Sequence, residues 1–241
     1  QLDTNEILKC FGFDLDNPNH MLIQTGDRND RGPETYEVNE YFRTQQLMYP
    51  DQVIVLNGNH DQMLLDAAKR TSDLMYYNGG NKTEQSYSKH SGIFGKNGLL
   101  NSLIKVNHLM WLQNLPLYAE SQRYFFSHAP IPKDAWRGSI SKPDFRMDKQ
   151  ALIWSYCDEA LDVWIDPILI PTDSGNEFKT CVYGHIHAGE IYVDKFGEDQ
   201  VRTPNPQAIG NAILLDSGAG CWKDAVLTCI ELPSRKCYNS D

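Results

Sequence analysis

The run Met21-Leu22-Ile23-Gln24-Thr25-Gly26-Asp27-Arg28-Asn29-Asp30-Arg31-Gly32 decides how this chain is read. Its apolar half, residues 21–24, has the length and composition of a short buried strand, and Thr25-Gly26-Asp27 ends that strand in turn formers and a carboxylate. The same pattern recurs three times downstream. Residues 52–56 read as a strand ending at Asn57-Gly58-Asn59-His60. Residues 124–126 end at Ser127-His128-Ala129-Pro130, and residues 181–183 end at Gly184-His185-Ile186-His187. Helix-like stretches at 36–48, 62–70 and 99–115 lie between the strands. Such alternation predicts a mixed α/β domain, and in open α/β sheets the functional crevice forms beyond the carboxyl ends of the strands. Four polar strand ends facing one crevice would gather an Asp, an Asn and several His. That mixture of oxygen and imidazole donors suits borderline ions such as Mn, Fe, Co or Zn better than Mg or Ca.

The remaining chain fits around this frame. Asp3 or Thr4 caps a first helix that runs to Phe11, with Glu6 completing a capping box. Residues 14–19 read as a loop, and residues 77–98, rich in Asn, Gly, Ser and Lys, as a loop with a short helix. A lid-like insertion occupies 131–180. A hairpin around Phe196-Gly197 pairs 190–193 with 200–202, and strands at 212–215 and 225–232 close the chain. No repeat or linker interrupts residues 1–241, which are expected to form one domain.

Composition narrows the function. With 22 Lys+Arg against 32 Asp+Glu in 241 residues, the net charge is −10, which disfavours a phosphate-tracking surface for nucleic acid. Charged residues at 22% and hydrophobic ones at 41% describe a globular chain. Runs such as Val53-Ile54-Val55-Leu56 fall far short of the roughly 20 residues that span a membrane. Cys10, Cys157, Cys181, Cys221, Cys229 and Cys237 show no CxxC spacing and read as reduced thiols in a cytoplasmic protein. Asn81-Lys82-Thr83 is formally a glycosylation triplet and is taken as coincidence. His20, His90 and His108 lack any motif and read as surface or satisfied histidines. Phosphate-loop, HExxH, GxSxG and dinucleotide fingerprints are absent from the sequence.

Gly26-Asp27-Arg28-Asn29-Asp30-Arg31-Gly32, Gly58-Asn59-His60-Asp61, Ser127-His128-Ala129 and Gly184-His185-Ile186-His187, in this order, resemble the motifs of calcineurin-like metallophosphoesterases. GDxxDRG is most similar to the serine/threonine phosphoprotein-phosphatase branch, especially its bacterial, phage and ApaH-like members, and Asp216-Ser217-Gly218-Ala219-Gly220 is similar to that branch's closing element. The resemblance implies a four-layer α/β sandwich of two mixed sheets flanked by helices. It implies two divalent ions, Mn first with Fe, Zn, Co or Ni as alternatives. Asp27 would bridge them, Asn59, His128 and His185 would complete the second site, and His187 would reach the first. A metal-bridging hydroxide would attack phosphorus, Arg31 would hold phosphoryl oxygens, and His60 would protonate the leaving oxygen with Asp61 orienting it. The implied activity is hydrolysis of a phosphomonoester on a protein or small molecule, without a nucleic-acid scaffold or membrane. The rivals are an ApaH-like dinucleoside-polyphosphate hydrolase and a degenerate phosphate-binding module.

Three departures from the family pattern accompany the match. The D-x-H that opens the family's first strand has no counterpart, and it is expected upstream of Gln1. Asp14-Leu15-Asp16 with His20 is a weak local stand-in. Asn57 stands where an Arg often precedes G-N-H, and Tyr156 where the lid often supplies another Arg. Arg28, Arg146 or a lid Lys are the candidates to replace them.

Overall fold

A computed structural model describes residues 12–131, 137–139, 142–144, 149–155, 178–187, 206–209, 211–221 and 225–240. The helix expected over 3–11, the hairpin at 190–202 and most of the insertion, including Arg146 and Tyr156, lie outside the described residues. The chain divides into two compact units, one covering Phe13–Pro116 and the other the chain from Leu117 onward. Together they give the mixed α/β class that the strand and helix alternation predicts.

In the first unit, β1 (Leu22–Gln24) and β2 (Val53–Val55) pair in parallel, with Leu22 opposite Val53 and Gln24 opposite Val55. Both are short because turn residues follow at once, and the loop before β1 is fixed by one side chain. Gln52 Nε2 reaches the carbonyls of Leu15, Asn17 and His20 at 2.8–3.1 Å. The helices are α1 (Thr35–Met48), α2 (Asn59–Ala68), α3 (Leu74–Tyr77), α4 (Asn81–Ser91), α5 (Gly98–Lys105) and α6 (His108–Gln113). Val55, Leu64, Met75, Leu103 and Leu112 are fully buried between them. Each such side chain contributes on the order of 1.5–3 kcal/mol by leaving water.

The structure departs from the periodicity in two places. Helix α2 begins at Asn59 rather than 62, because Gly58 caps it and the Asp61 carboxylate accepts the Gly58 N–H at 2.8 Å. The single helix expected over 99–115 is broken between α5 and α6, where Asn107 takes a left-handed φ of 61°. The short helix expected within 77–98 is α4, and it runs for 11 residues. Its buried face is Thr83, Ser86, Tyr87, Ser88 and Ser91, so burial there follows hydrogen bonding rather than hydropathy.

In the second unit a five-stranded sheet runs in the order β3 (Tyr118–Glu120), β4 (Tyr124–Ser127), β7 (Thr180–Tyr183), β9 (Ala212–Leu214), β8 (Gln207–Ile209). The three central strands are parallel and the two edge strands antiparallel. Phe125, Val182, Ile213 and Leu214 are buried, as central parallel strands require. Among the described residues of the insertion, β5 (Arg137–Ser139) pairs with β6 (Lys142–Asp144), and α7 (Lys149–Trp154) follows. The strand expected over 225–232 is β10 (Thr228–Glu231), and it forms an unanticipated hairpin with β11 (Lys236–Asn239).

Candidate metal and phosphate site

The two units each carry one part of the motif set. In the first, β1 delivers the chain into a tight turn in which Asp27, Asp30 and Arg31 all take left-handed φ angles of 57°, 72° and 58°. That turn sets the Asp27 carboxylate against the start of α2, where Oδ1 accepts the His60 N–H at 3.1 Å. Helix N-termini favour anionic groups. The approach demands glycine at 58, since a Cβ there would sit 2.3 Å from Asp27 Oδ1. Asn59 and His60 occupy the first turn of α2 and are buried.

His60 has its partner, and it is not Asp61. Nδ1 lies 2.6 Å from Asp30 Oδ2, so the ring donates there and leaves Nε2 for other work. Nε2 is 3.9 Å from Asp27 Oδ2. Asp61, expected to orient His60, follows it directly on a helix and so projects to another side. It bonds the Gly58 N–H, accepts from Asn29 Nδ2, and pairs with Arg28 NH2 at 2.9 Å with both side chains at or near zero exposure. Sequence reasoning missed Asp30 as the partner, although it stands within the quoted motif.

Arg28 is likewise not available to phosphate. Its guanidinium donates to the Leu56 carbonyl at 2.9 Å, to Asn39 Oδ1 at 3.2 Å and to Gln24, besides pairing with Asp61. One buried cation thus joins β1, the end of β2, α1 and α2. It clamps the turn from Leu56 to Asp61 at both ends, with Asn59 and His60 between. Asn57, buried in that turn, donates its N–H to the Pro116 carbonyl. Arg31, by contrast, is exposed.

The unassigned histidines have structural partners. His20 Nδ1 accepts the Asp14 N–H at 3.0 Å, Nε2 meets Asn17, and the ring stacks on Phe13; of the stand-in carboxylates, Asp14 Oδ1 accepts the Asp16 N–H and Asp16 Oδ1 accepts the Tyr49 hydroxyl at 3.1 Å. His90 pairs with Glu37 at 2.6 Å. His108 lies between Glu40 and the Tyr87 hydroxyl, at 2.7 and 2.8 Å. Burial lowers His108 below the usual imidazole value, and Glu40 opposes that shift.

In the second unit β4 and β7 end level, with Ser127 opposite Tyr183; His128 follows β4 directly and His185 follows β7 after Gly184. Their rings are 5.0 Å apart, edge to face. His185 takes a left-handed φ of 62°, and the Gly184 carbonyl accepts the Ile186 N–H. His128 is buried, and the Ala129 N–H after it donates to the Leu152 carbonyl of α7. His187 Nε2 lies 3.4 Å from Cys221 Sγ, at the end of a turn in which Asp216 accepts the Gly218 N–H. Cys181, Cys221, Cys229 and Cys237 are free thiols, and burial pushes Cys181 up to about 11.

Each unit by itself offers donors of a kind that divalent ions take: one has adjacent imidazoles, the other a carboxylate cradled where only glycine fits. The family model for calcineurin-like phosphoesterases matches residues 3–189. The chain belongs to that family, whose members typically use divalent metal ions. A solved serine/threonine phosphatase from Saccharomyces cerevisiae, described as similar to human phosphatase PP5, superposes with a TM-score of 0.46. It is 19% identical, over 78% of this chain and 58% of that one. The chain therefore spans a little over half of that protein's length. No described helix is long and apolar enough to cross a membrane.

Proposed function

We propose that the chain is a metal-dependent phosphomonoesterase of the phosphoprotein-phosphatase branch, acting in the cytoplasm on phosphoserine or phosphothreonine. The observation that carries the reading is the Asp30–His60 pair at the start of α2, beside the Asp27 carboxylate. Asp27, Asn59, His128, His185 and His187 would hold two divalent ions, with Mn the first choice. When bound, such ions supply the Lewis acidity that offsets phosphoryl charge and makes water a nucleophile at neutral pH.

The chain's own residues do the rest. Arg31, exposed and fork-shaped, grips two phosphoryl oxygens at once, which a point-charge Lys does not. His60 gives a proton from Nε2 to the departing oxygen, while Asp30 at Nδ1 fixes the ring. An alkoxide leaves poorly without that proton, so the step is worth about 10²–10⁴-fold.

The test is hydrolysis of para-nitrophenyl phosphate and of a phosphopeptide with added Mn. Turnover is expected on both; His60→Ala is expected to fall to background on the phosphopeptide, whose alkoxide needs the proton, and to lose far less on para-nitrophenyl phosphate, whose leaving group departs as a stabilised anion. Asp27→Asn is expected to lose bound metal as well as turnover, and undiminished turnover in that variant sinks the proposal. Cleavage of diadenosine tetraphosphate but not of phosphopeptide moves the substrate to dinucleoside polyphosphates.

A further inference from the structure

Helix α4 carries no residue of the family motifs, yet its first turn lies against the one turn whose shape the proposed chemistry needs. Thr83 is fully buried. Its Oγ1 accepts the Asp30 N–H at 2.8 Å and donates to Asp30 Oδ1 at 3.0 Å, with Thr35 Oγ1 a further 3.3 Å neighbour. The other carboxylate oxygen of Asp30 is the one that holds His60 Nδ1. Just ahead of α4, the Gly79 carbonyl accepts the Arg31 N–H at 3.3 Å. Gly79 itself has φ 91°, and a Cβ on it would sit 3.0 Å from Arg31 Cγ. The backbone around Asp30 and Arg31 is left-handed, with the Gly32 N–H donating to the Asp30 carbonyl across it. It is braced from outside, by Gly79 on one residue and Thr83 on the other.

We infer that the Gly79–Thr83 segment is a positioning element for the Asp30–His60 pair, with Thr83 the positioning residue that fixes the Asp30 carboxylate and, through it, the His60 ring. This rests on the phosphoesterase reading above. Thr83 touches neither metal ligand nor substrate. A carboxylate rotates easily about its last bond, and with one oxygen on His60 only the Thr83 hydroxyl keeps the other in place. Removing that hydroxyl orphans both Asp30 Oδ1 and the Asp30 N–H in a site shut from water. The carboxylate then swings, and Nε2 of His60 spends less time aimed at the leaving oxygen. The threonine of the formal glycosylation triplet is thus accounted for by a buried structural task.

The effect is selective, and that makes it testable. Proton donation matters for a poor leaving group and hardly at all for one that departs as a stable anion. Thr83→Val keeps the shape and removes the hydroxyl; Thr83→Ser keeps the hydroxyl. With the full chain and Mn, Thr83→Val is expected to lower kcat on phenyl phosphate about 10- to 100-fold. KM and turnover of 2,4-dinitrophenyl phosphate are expected to stay within a factor of about two, and Thr83→Ser to restore phenyl phosphate turnover. Thr83→Ala against Thr83→Ser repeats the contrast on a smaller side chain should the valine variant fail to fold. Equal losses on both esters, or no loss on phenyl phosphate, overturn the inference.

A second measurement needs no turnover. The downfield His60 Nδ1–H resonance, assigned by its disappearance in His60→Gln, is expected to broaden away in Thr83→Val and persist in Thr83→Ser. Its persistence in Thr83→Val overturns the inference. If the native chain cleaves neither ester while the resonance behaves as stated, the phosphoesterase reading fails and the support of His60 by Thr83 stands.

Discussion

The two units position their motif residues by different means. In the first, Asp27, His60 and Asp30 are set by side chains: Arg28, Asp61, Asn29, Asn39 and Thr83 form a buried polar framework behind them. In the second, His128 and His185 are set by a ladder and a short turn: two parallel strands of matched register end level, His128 follows β4 at once, and His185 follows β7 one residue later, after Gly184, with a left-handed φ. A framework of charges is brittle, since removing one member strands another in a low dielectric. A ladder is tolerant, since its apolar side chains are interchangeable within limits of volume.

The sharpest way to break that contrast is Arg28→Ala. It leaves Asp61 buried without its cation, so stability measured by urea unfolding is expected to fall by about 3–5 kcal/mol. Arg31→Ala, three residues away and exposed, is expected to change stability by less than about 0.5 kcal/mol while weakening phosphate inhibition of the enzyme. Equal effects at the two arginines would dissolve the distinction. Asp61→Asn against Asp30→Asn makes the same cut among carboxylates. The former is expected to lose about 3 kcal/mol by uncovering Arg28, the latter to lose turnover at higher residual stability. In the second unit Ile213→Val, at the centre of the sheet, is expected to cost only about 0.5–1.5 kcal/mol and leave metal content unchanged. The smallest effect concerns acid. The Arg43 guanidinium, helped by His108, holds Glu40 down to about 2 against 4.5 when unfolded. Stability from that pair is complete above pH 4.5 and lost as pH falls toward 2. Because the Glu40 side chain is still 33% exposed and screened by water, Glu40→Gln is expected to flatten the acid limb of the urea midpoint by no more than about 1 kcal/mol.

Much of this was legible in the sequence, and the limits have physical reasons. The strands preceding Asp27, Asn59, His128 and His185 announce themselves as apolar runs closed by turn formers, which is a local signal. The pairing of His60 is not local. Asp61 is its neighbour in sequence, but consecutive helical residues diverge, and Asp30 arrives only through a left-handed turn. Arg28 was open to a phosphate role because sequence does not report burial. The burial of α4 is not legible, because a face of Thr, Ser and Tyr looks like solvent to any hydropathy pattern, although Asn39 and Tyr87 bond across it.

Three left-handed non-glycine residues within five positions, Asp27, Asp30 and Arg31, each hold the backbone roughly 1 kcal/mol above its relaxed state. At Asp30 the strain is held by bonds to buried Thr83 and His60, whereas Arg31 is exposed, and glycine there would relax the loop. An arginine at that position suits the phosphate contact proposed above and not endurance.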